Sequence, residues 1–352
     1  PAPGGRRVTA RAFCMPQALN SMSQAQGSMP QLQSEIADDA GVANESRTAE
    51  FAEAILNGLA HERRSIPSRF LYDEIGSALF EDITKLDEYY PTRTEIGLLR
   101  AHGTEISECV GPVETLVEFG SGSSRKTHLL IEALNGLATY VPIDVSEAFL
   151  AEAAERLEAD FESLTVSPVL GDFTKTRELN GIQPHRPLGF FSGSTIGNLN
   201  HQEAHAFLEN AAQLLGEGST FLIGVDLEKS LDVLIPAYDD AGGVTAAFSL
   251  NLLARVNRDL SGDFDTDRFA HRALYNARER RIEIYLESLA DQIVHVLGQR
   301  FDFAEGERIH TENSHKYTVE RFQDLAARAG WTPAQVWTDE AALFSLHLLL
   351  LP

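Results

Sequence analysis

From Leu116 onward, short apolar runs alternate with longer stretches whose apolar residues recur every three or four positions. The short runs cover 116–120, 139–144, 167–171, 188–192 and 220–226. Their length and bounding turn residues predict buried strands, and the stretches between them predict helices, clearest over 146–157 and 202–215. Repeated strand–helix units imply a parallel sheet covered on both faces. Residues 230–314 interrupt this pattern with mixed spacing and a strand-like alternation over 281–289. The pattern then resumes with a helix over 319–329 and strands over 333–338 and 344–350. Upstream, 49–59 has helical spacing and 65–69 reads as a loop. Pro91 breaks the next stretch, so that Thr92 or Thr94 can cap a helix running to about His102.

The end of the first strand carries chemistry. Glu118-Phe119-Gly120-Ser121-Gly122 passes from an apolar run through a tight turn into a helix-compatible run. Bare N–H groups at such a turn can face a ligand. The second strand ends in Asp144, a carboxylate placed to meet a ribose diol. Arg125 stands where a dinucleotide fingerprint needs a small residue, which argues against NAD(P). Glu-x-Gly-x-Gly is instead the S-adenosylmethionine pattern of class I methyltransferases. A Gly-rich turn in another α/β protein would also read this way. Asp172, after the third strand, either sits beside an adenine or caps a turn.

Composition narrows the partners. The chain has 352 residues and a net charge of −23, which opposes nucleic-acid and anionic-membrane binding. No run approaches the roughly 18 apolar residues of a membrane helix. Two cysteines, Cys14 and Cys109, are too few for a disulfide framework and fit a reducing cytoplasm. Residues 1–41 are rich in Gln, Ser, Pro, Ala and Gly and read as a disordered leader.

Several polar clusters admit both an active and a plain reading. In Ser192–Asn200, Asn198 could bind and orient an amine, or Asn198 or Asn200 could cap the next helix. Tyr238 fits a pocket loop or a packing position. Thr311–Tyr317 is a dense polar group that also suits a solvated hinge. His201 and His205 share a helical face, but Gln202 stands where a zinc-protease pattern has Glu, so no metal is expected.

Taken together, the motifs resemble a known family. Phe70–Phe80, Glu88-Tyr89-Tyr90-Pro91-Thr92-Arg93-Thr94-Glu95, Glu118–Thr127, Ser194–Asn200, Tyr238-Asp239-Asp240 and Thr311–Tyr317 are similar, in order, to the histidine Nα-methyltransferase of ergothioneine biosynthesis. The resemblance implies an α/β fold with a Rossmann-like class I methyltransferase sheet, whose last two strands form an antiparallel pair. It implies a second, substrate-binding domain from 42–94 and the insertion 230–316, with the methyltransferase domain over 95–229 and 317–352. It implies three methyl transfers from S-adenosylmethionine to the α-amino nitrogen of L-histidine, giving hercynine, in a cytoplasmic monomer. Asn198 and Tyr238 would act on the amine and carboxylate. Tyr72, Glu312 and Ser314 would face the imidazole. Phe80, Gly193 and Thr195 would line the amine end, and Tyr89 would close the pocket. Glu118, Gly120, Ser121, Gly122, Lys126, Asp144, Asp172 and Phe173 would hold the cofactor. Ile284 sits where such enzymes carry other apolar side chains. Related fungal enzymes methylate a tryptophan-derived amine, which keeps another aromatic amino acid or amine as the alternative acceptor.

Overall fold

The computed structural model describes residues 47–122 and 124–352, so the leader expected over 1–41 lies outside the described residues. Residues 51–352 gather into one compact unit. Its centre is a sheet that begins with β1 (Thr115–Phe119), β2 (Thr139–Asp144), β3 (Thr165–Val166), β4 (Val169–Leu170), β5 (Pro187–Phe191) and β6 (Thr220–Asp226). Strands β1 and β5 are buried at every position. Continuous apolar runs of that kind suit parallel strands covered on both faces. The third expected strand, 167–171, is instead two short pieces, β3 and β4, both parallel to β2. Pro168 falls between them and has no N–H to continue the ladder.

The helix Tyr90–Val110 also departs from expectation. It starts before Thr92 and runs well past His102. Pro91 lies in its first turn, where a missing N–H costs nothing. Thr94 Oγ1 donates to Tyr90 O at 2.8 Å, inside the helix, and caps nothing.

After β6 come the helices Leu231–Tyr238 and Val244–Leu260. Five strands follow: β7 (Phe269–Asn276), β8 (Arg281–Ser288), β9 (Gln292–Val296), β10 (Gln299–Phe303) and β11 (Arg308–His315). Strands β11, β8 and β7 form a small antiparallel sheet in that order, and β9 pairs with β10. The chain then returns to the main sheet through the helix Val319–Arg328, β12 (Thr332–Thr338) and β13 (Phe344–Leu350). The final order is β12-β13-β6-β5-β1-β2-β3, with β13 antiparallel to both neighbours.

Three apolar clusters hold this arrangement. One face of the main sheet packs Phe119, Phe191 and Phe221 against Phe207 and Trp331. The other packs Leu116, Tyr140 and Leu222 with Leu99, Ile106 and Leu130 from two helices. A separate cluster joins Phe51, Ile55, Leu59 and Phe70 to Phe248, Leu252, Ile282, Leu286 and Phe303. Segments far apart in sequence, 51–90 and 234–309, therefore share one apolar core.

The helix Tyr90–Val110 meets β6 where Gly224 leaves room for the fully buried Glu95 carboxylate. A Cβ at Gly224 would collide with Glu95. Gly224→Ala should lower the unfolding free energy by about 1–3 kcal/mol, the usual cost of overpacking. Urea denaturation measures it, and an unchanged midpoint would mean that Glu95 moves aside freely.

Candidate active site

The main sheet changes direction at β1, which has β2 on one side and β5 on the other. In open parallel sheets, ligands lie outside the carboxyl ends of the strands at such a point. A cavity of about 670 Å³ lies there, within the size range of small-molecule sites. It is lined by every residue to which the sequence gave a site role, from Tyr72 to Ser314.

One side of the cavity suits a nucleoside. The Asp144 carboxylate accepts the Ser146 N–H at 3.0 Å and the Gly122 N–H at 3.4 Å. Burial pushes its carboxyl above the usual range, although these backbone bonds oppose the shift. Asp172 accepts the Thr174 N–H at 2.9 Å, so it does cap a turn while lining the cavity. Phe173 stacks edge-on against Phe191, with ring centres 5.2 Å apart. Ser121 Oγ is buried in the wall with no partner among the described residues. An unpaired buried hydroxyl costs about 1–3 kcal/mol, which a polar ligand can offset. A fixed carboxylate, an aromatic wall and an unpaired hydroxyl therefore fit S-adenosylmethionine.

Two charged residues of this side are held by the protein itself. Glu118 accepts the Thr127 hydroxyl at 2.7 Å and a short bond from Tyr140, and burial pushes its carboxyl up to about 8. Lys126 Nζ pairs with Glu95 at 2.7 Å, and Glu95 also accepts the Gly193 N–H at 2.8 Å. Glu95 thus ties the helix after β1 to the turn after β5.

The opposite side carries a run of aromatic rings among polar side chains. Tyr72, Phe80, Tyr89 and Tyr238 follow one another at ring separations of 5.5, 6.1 and 6.3 Å. Burial raises all three tyrosines well above their ordinary pKa, so they stay neutral. Asn198 Nδ2 donates to Glu312 Oε1 at 3.3 Å, and Tyr238 Oη lies 2.8 Å from Ser314 Oγ. Burial pushes the Glu312 carboxyl up to about 7, against the pull of Lys316 and the Asn198 bond. The Thr195–Asn198 turn approaches β11 so closely that a Cβ on Gly197 would lie 2.8 Å from His315 O. Only glycine permits that contact, and it brings Asn198 to Glu312.

A family model described as "Histidine-specific methyltransferase, SAM-dependent" matches residues 51–351. The chain belongs to this family. It is 44% identical to the histidine N-alpha-methyltransferase of Mycolicibacterium smegmatis, over 83% of this chain and 92% of the relative. The histidine N-alpha-methyltransferase of Mycobacterium tuberculosis is 41% identical, over 84% and 92%. Ergothioneine biosynthesis protein 1 of Neurospora crassa is 30% identical over 81% of this chain, which spans 33% of that longer protein.

Within this methyltransferase, the capping reading of one cluster holds at Asn200, and the hinge reading of another gives way. Asn200, not Asn198, caps the helix His201–Leu215, and Glu203 closes a capping box with it. Thr311–His315 lies in β11 with Thr311, Ser314 and His315 buried, so it is no solvated hinge, and Thr318 caps the helix that follows. Ile284 is buried in the apolar core directly opposite Glu312, and it is not among the cavity-lining residues. His205 donates to Arg328 O at 3.2 Å, and His201 stacks on His315. Sequence reasoning missed Asp226, Lys229 and Lys316, and it gave no role to Tyr90 or Glu95. Their partners are far away along the chain, so no local spacing announces them. For Asp144, the expectation is that Asp144→Ala weakens S-adenosylmethionine binding by about 1–3 kcal/mol, the cost of leaving ribose hydroxyls poorly paired. Calorimetry showing wild-type affinity would remove Asp144 from the site.

Proposed function

We propose that this chain transfers methyl groups from S-adenosylmethionine to the α-amino nitrogen of L-histidine, three in succession, giving hercynine for ergothioneine biosynthesis. The observation that carries this reading is Glu312. It is a half-buried carboxylate, bonded to Asn198 and one residue removed from Ser314, in a wall that also carries Tyr72, Phe80, Tyr89 and Tyr238. A carboxylate drawn partly out of water is costly unless a donor meets it. An imidazole offers one N–H and one basic nitrogen, which matches an acceptor at Glu312 and a hydroxyl at Ser314. An indole has no basic nitrogen and leaves half of that pair unused. Family membership and the mycobacterial relatives support the same acceptor.

When bound, S-adenosylmethionine supplies an electrophilic methyl group. The chain's own residues then have three tasks. Asn198 and Tyr238 hold the amine with neutral groups, which favour the ammonium form less than a carboxylate would. This matters because an α-amino group of pKa near 8 is mostly protonated at neutral pH. Tyr72, Phe80 and Tyr89 exclude water from the acceptor. Glu312 and Ser314 fix the ring, so grip does not depend on amine protons that vanish as methyls accumulate. Holding the partners aligned can account for about 7–11 kcal/mol of the barrier.

A cytoplasmic monomer is part of this proposal, the low cysteine count supporting the reducing compartment alone; no described helix is long and apolar enough to cross a membrane. Purified protein incubated with S-adenosylmethionine and mixed amino acids should add up to three methyl groups to histidine, as read by mass spectrometry. Faster methylation of tryptophan or tyrosine in direct competition would overturn the assignment. Glu312→Ala should raise the histidine KM roughly 10–150-fold, by removing a charge-assisted bond of about 1.5–3 kcal/mol. Cofactor affinity should hardly change. Equal slowing of histidine and tryptophan would make Glu312 a structural residue.

A further inference from the structure

Lys316 follows β11 and is 1% exposed. Its Nζ lies 2.6 Å from Asp226 Oδ2, 2.7 Å from Tyr238 Oη and 2.7 Å from Ser314 Oγ. An ammonium has three N–H donors and no acceptor, so all three are engaged and none remains for a ligand. The backbone holds it in place as well. Lys316 N–H donates to Arg280 O at 2.8 Å, and Tyr317 N–H donates to Asp226 O at 3.1 Å. Asp226 N–H in turn donates to Ser194 Oγ at 2.9 Å. The ammonium stands at a fixed point between the end of β6 and the acceptor wall.

Counting protons in this cluster restricts what it can offer. Tyr238 and Ser314 each accept one N–H from Lys316, and their oxygens, 2.8 Å apart, share one hydroxyl proton. Only one proton of the pair is then left to point into the cavity that both residues line. If Glu312 accepts the imidazole N–H, the basic ring nitrogen needs a donor, and that donor is Ser314. Tyr238 must then donate to Ser314. Its oxygen, no longer a donor toward the cavity, turns its remaining lone pair to an amine N–H, which the acceptors of the first two transfers have and that of the third lacks.

We propose that Lys316 is a positioning residue that couples ring recognition to amine orientation: by taking one lone pair on each hydroxyl, it makes Tyr238 an acceptor for the amine whenever Ser314 donates to the ring. The inference rests on histidine as the acceptor. A ring without a basic nitrogen leaves the outward proton unassigned, and the amine is then held less well.

The test uses full-length protein and steady-state kinetics with histidine. Lys316→Met is made alone, because Asp226 still has Lys229 Nζ as a partner at 2.5 Å and its charge is not left unmatched. This change should lower histidine kcat/KM by roughly tenfold or more in the wild-type background, and by much less when Ser314 is already Ala, because contacting groups are non-additive. An equal loss in both backgrounds overturns the proposal, and so does a matching loss of S-adenosylmethionine affinity by calorimetry, since a merely structural role would disturb both sides of the cavity. If the Lys316→Met variant fails to fold by circular dichroism, the network is a folding element and the proposal falls. A second cycle leaves Lys316 in place: Tyr238→Phe and Ser314→Ala should also be non-additive for histidine, and additive losses overturn the coupling. Wild-type protein that methylates no histidine would sink the proposed function itself, a result separable from both cycles.

Discussion

The buried pair of Asp226 and Lys316 is the constraint on which the acceptor side depends. Asp226 ends β6 in the main sheet, and Lys316 follows β11 in the small one. Both side chains are fully buried. Burial alone would raise the Asp226 carboxyl, but Lys316 and Lys229 hold it below its usual range. Burial pulls both ammonium groups down, Lys229 to about 8. Tyr90 Oη donates to the same carboxylate at 2.8 Å and accepts from Lys229 at 2.7 Å. Removing one partner of such a pair typically costs about 3–5 kcal/mol, because a charge is left buried and unmatched. The network is stable only when complete, so it admits one relative placement of the two strand ends.

Glu95 plays a matching part on the cofactor side. It reaches across from the helix Tyr90–Val110 to Lys126 and to the backbone of Gly193. That helix begins with Tyr90, which belongs to the Asp226 network. One helix therefore touches both charge clusters and the turns that border the cavity. A lysine whose charge is already met by Glu95 lines the cavity without adding an unbalanced positive charge to it.

The chemistry follows from what this framework leaves uncharged. Tyr72, Tyr89 and Tyr238 stay protonated far above neutrality because their phenolates would be buried. Glu312 is the exception, a carboxyl near its titration point at neutral pH. Such a group matches a ring that itself titrates near 6.5. On the proposed placement of the substrate, the neutral Asn198 and Tyr238 would leave the amine lone pair available, whereas a second carboxylate would hold it as ammonium.

Much of this was legible in the chain itself. Local periodicity marked the parallel strands and the interruption over 230–314, because buried strands need apolar runs and helices need an apolar face. The turn after Glu118 and the carboxylate at Asp144 announced one border of the cavity, since both lie at strand ends and need only short-range geometry. The helix starting at Tyr90 was misread because Pro91 breaks a helix only from its second turn on, and which turn it occupies depends on packing. The division of the third strand at Pro168 depended likewise on the neighbour it pairs with. Asp226, Lys229, Lys316 and Glu95 could not be read at all. A buried charge is tolerable only beside its partner, and Lys316 meets Asp226 across 90 positions of chain. Sequence by itself therefore determined the elements and the residue types at the strand ends. Tertiary structure alone decided which charges neutralise one another, because that depends on distance in space and not along the chain.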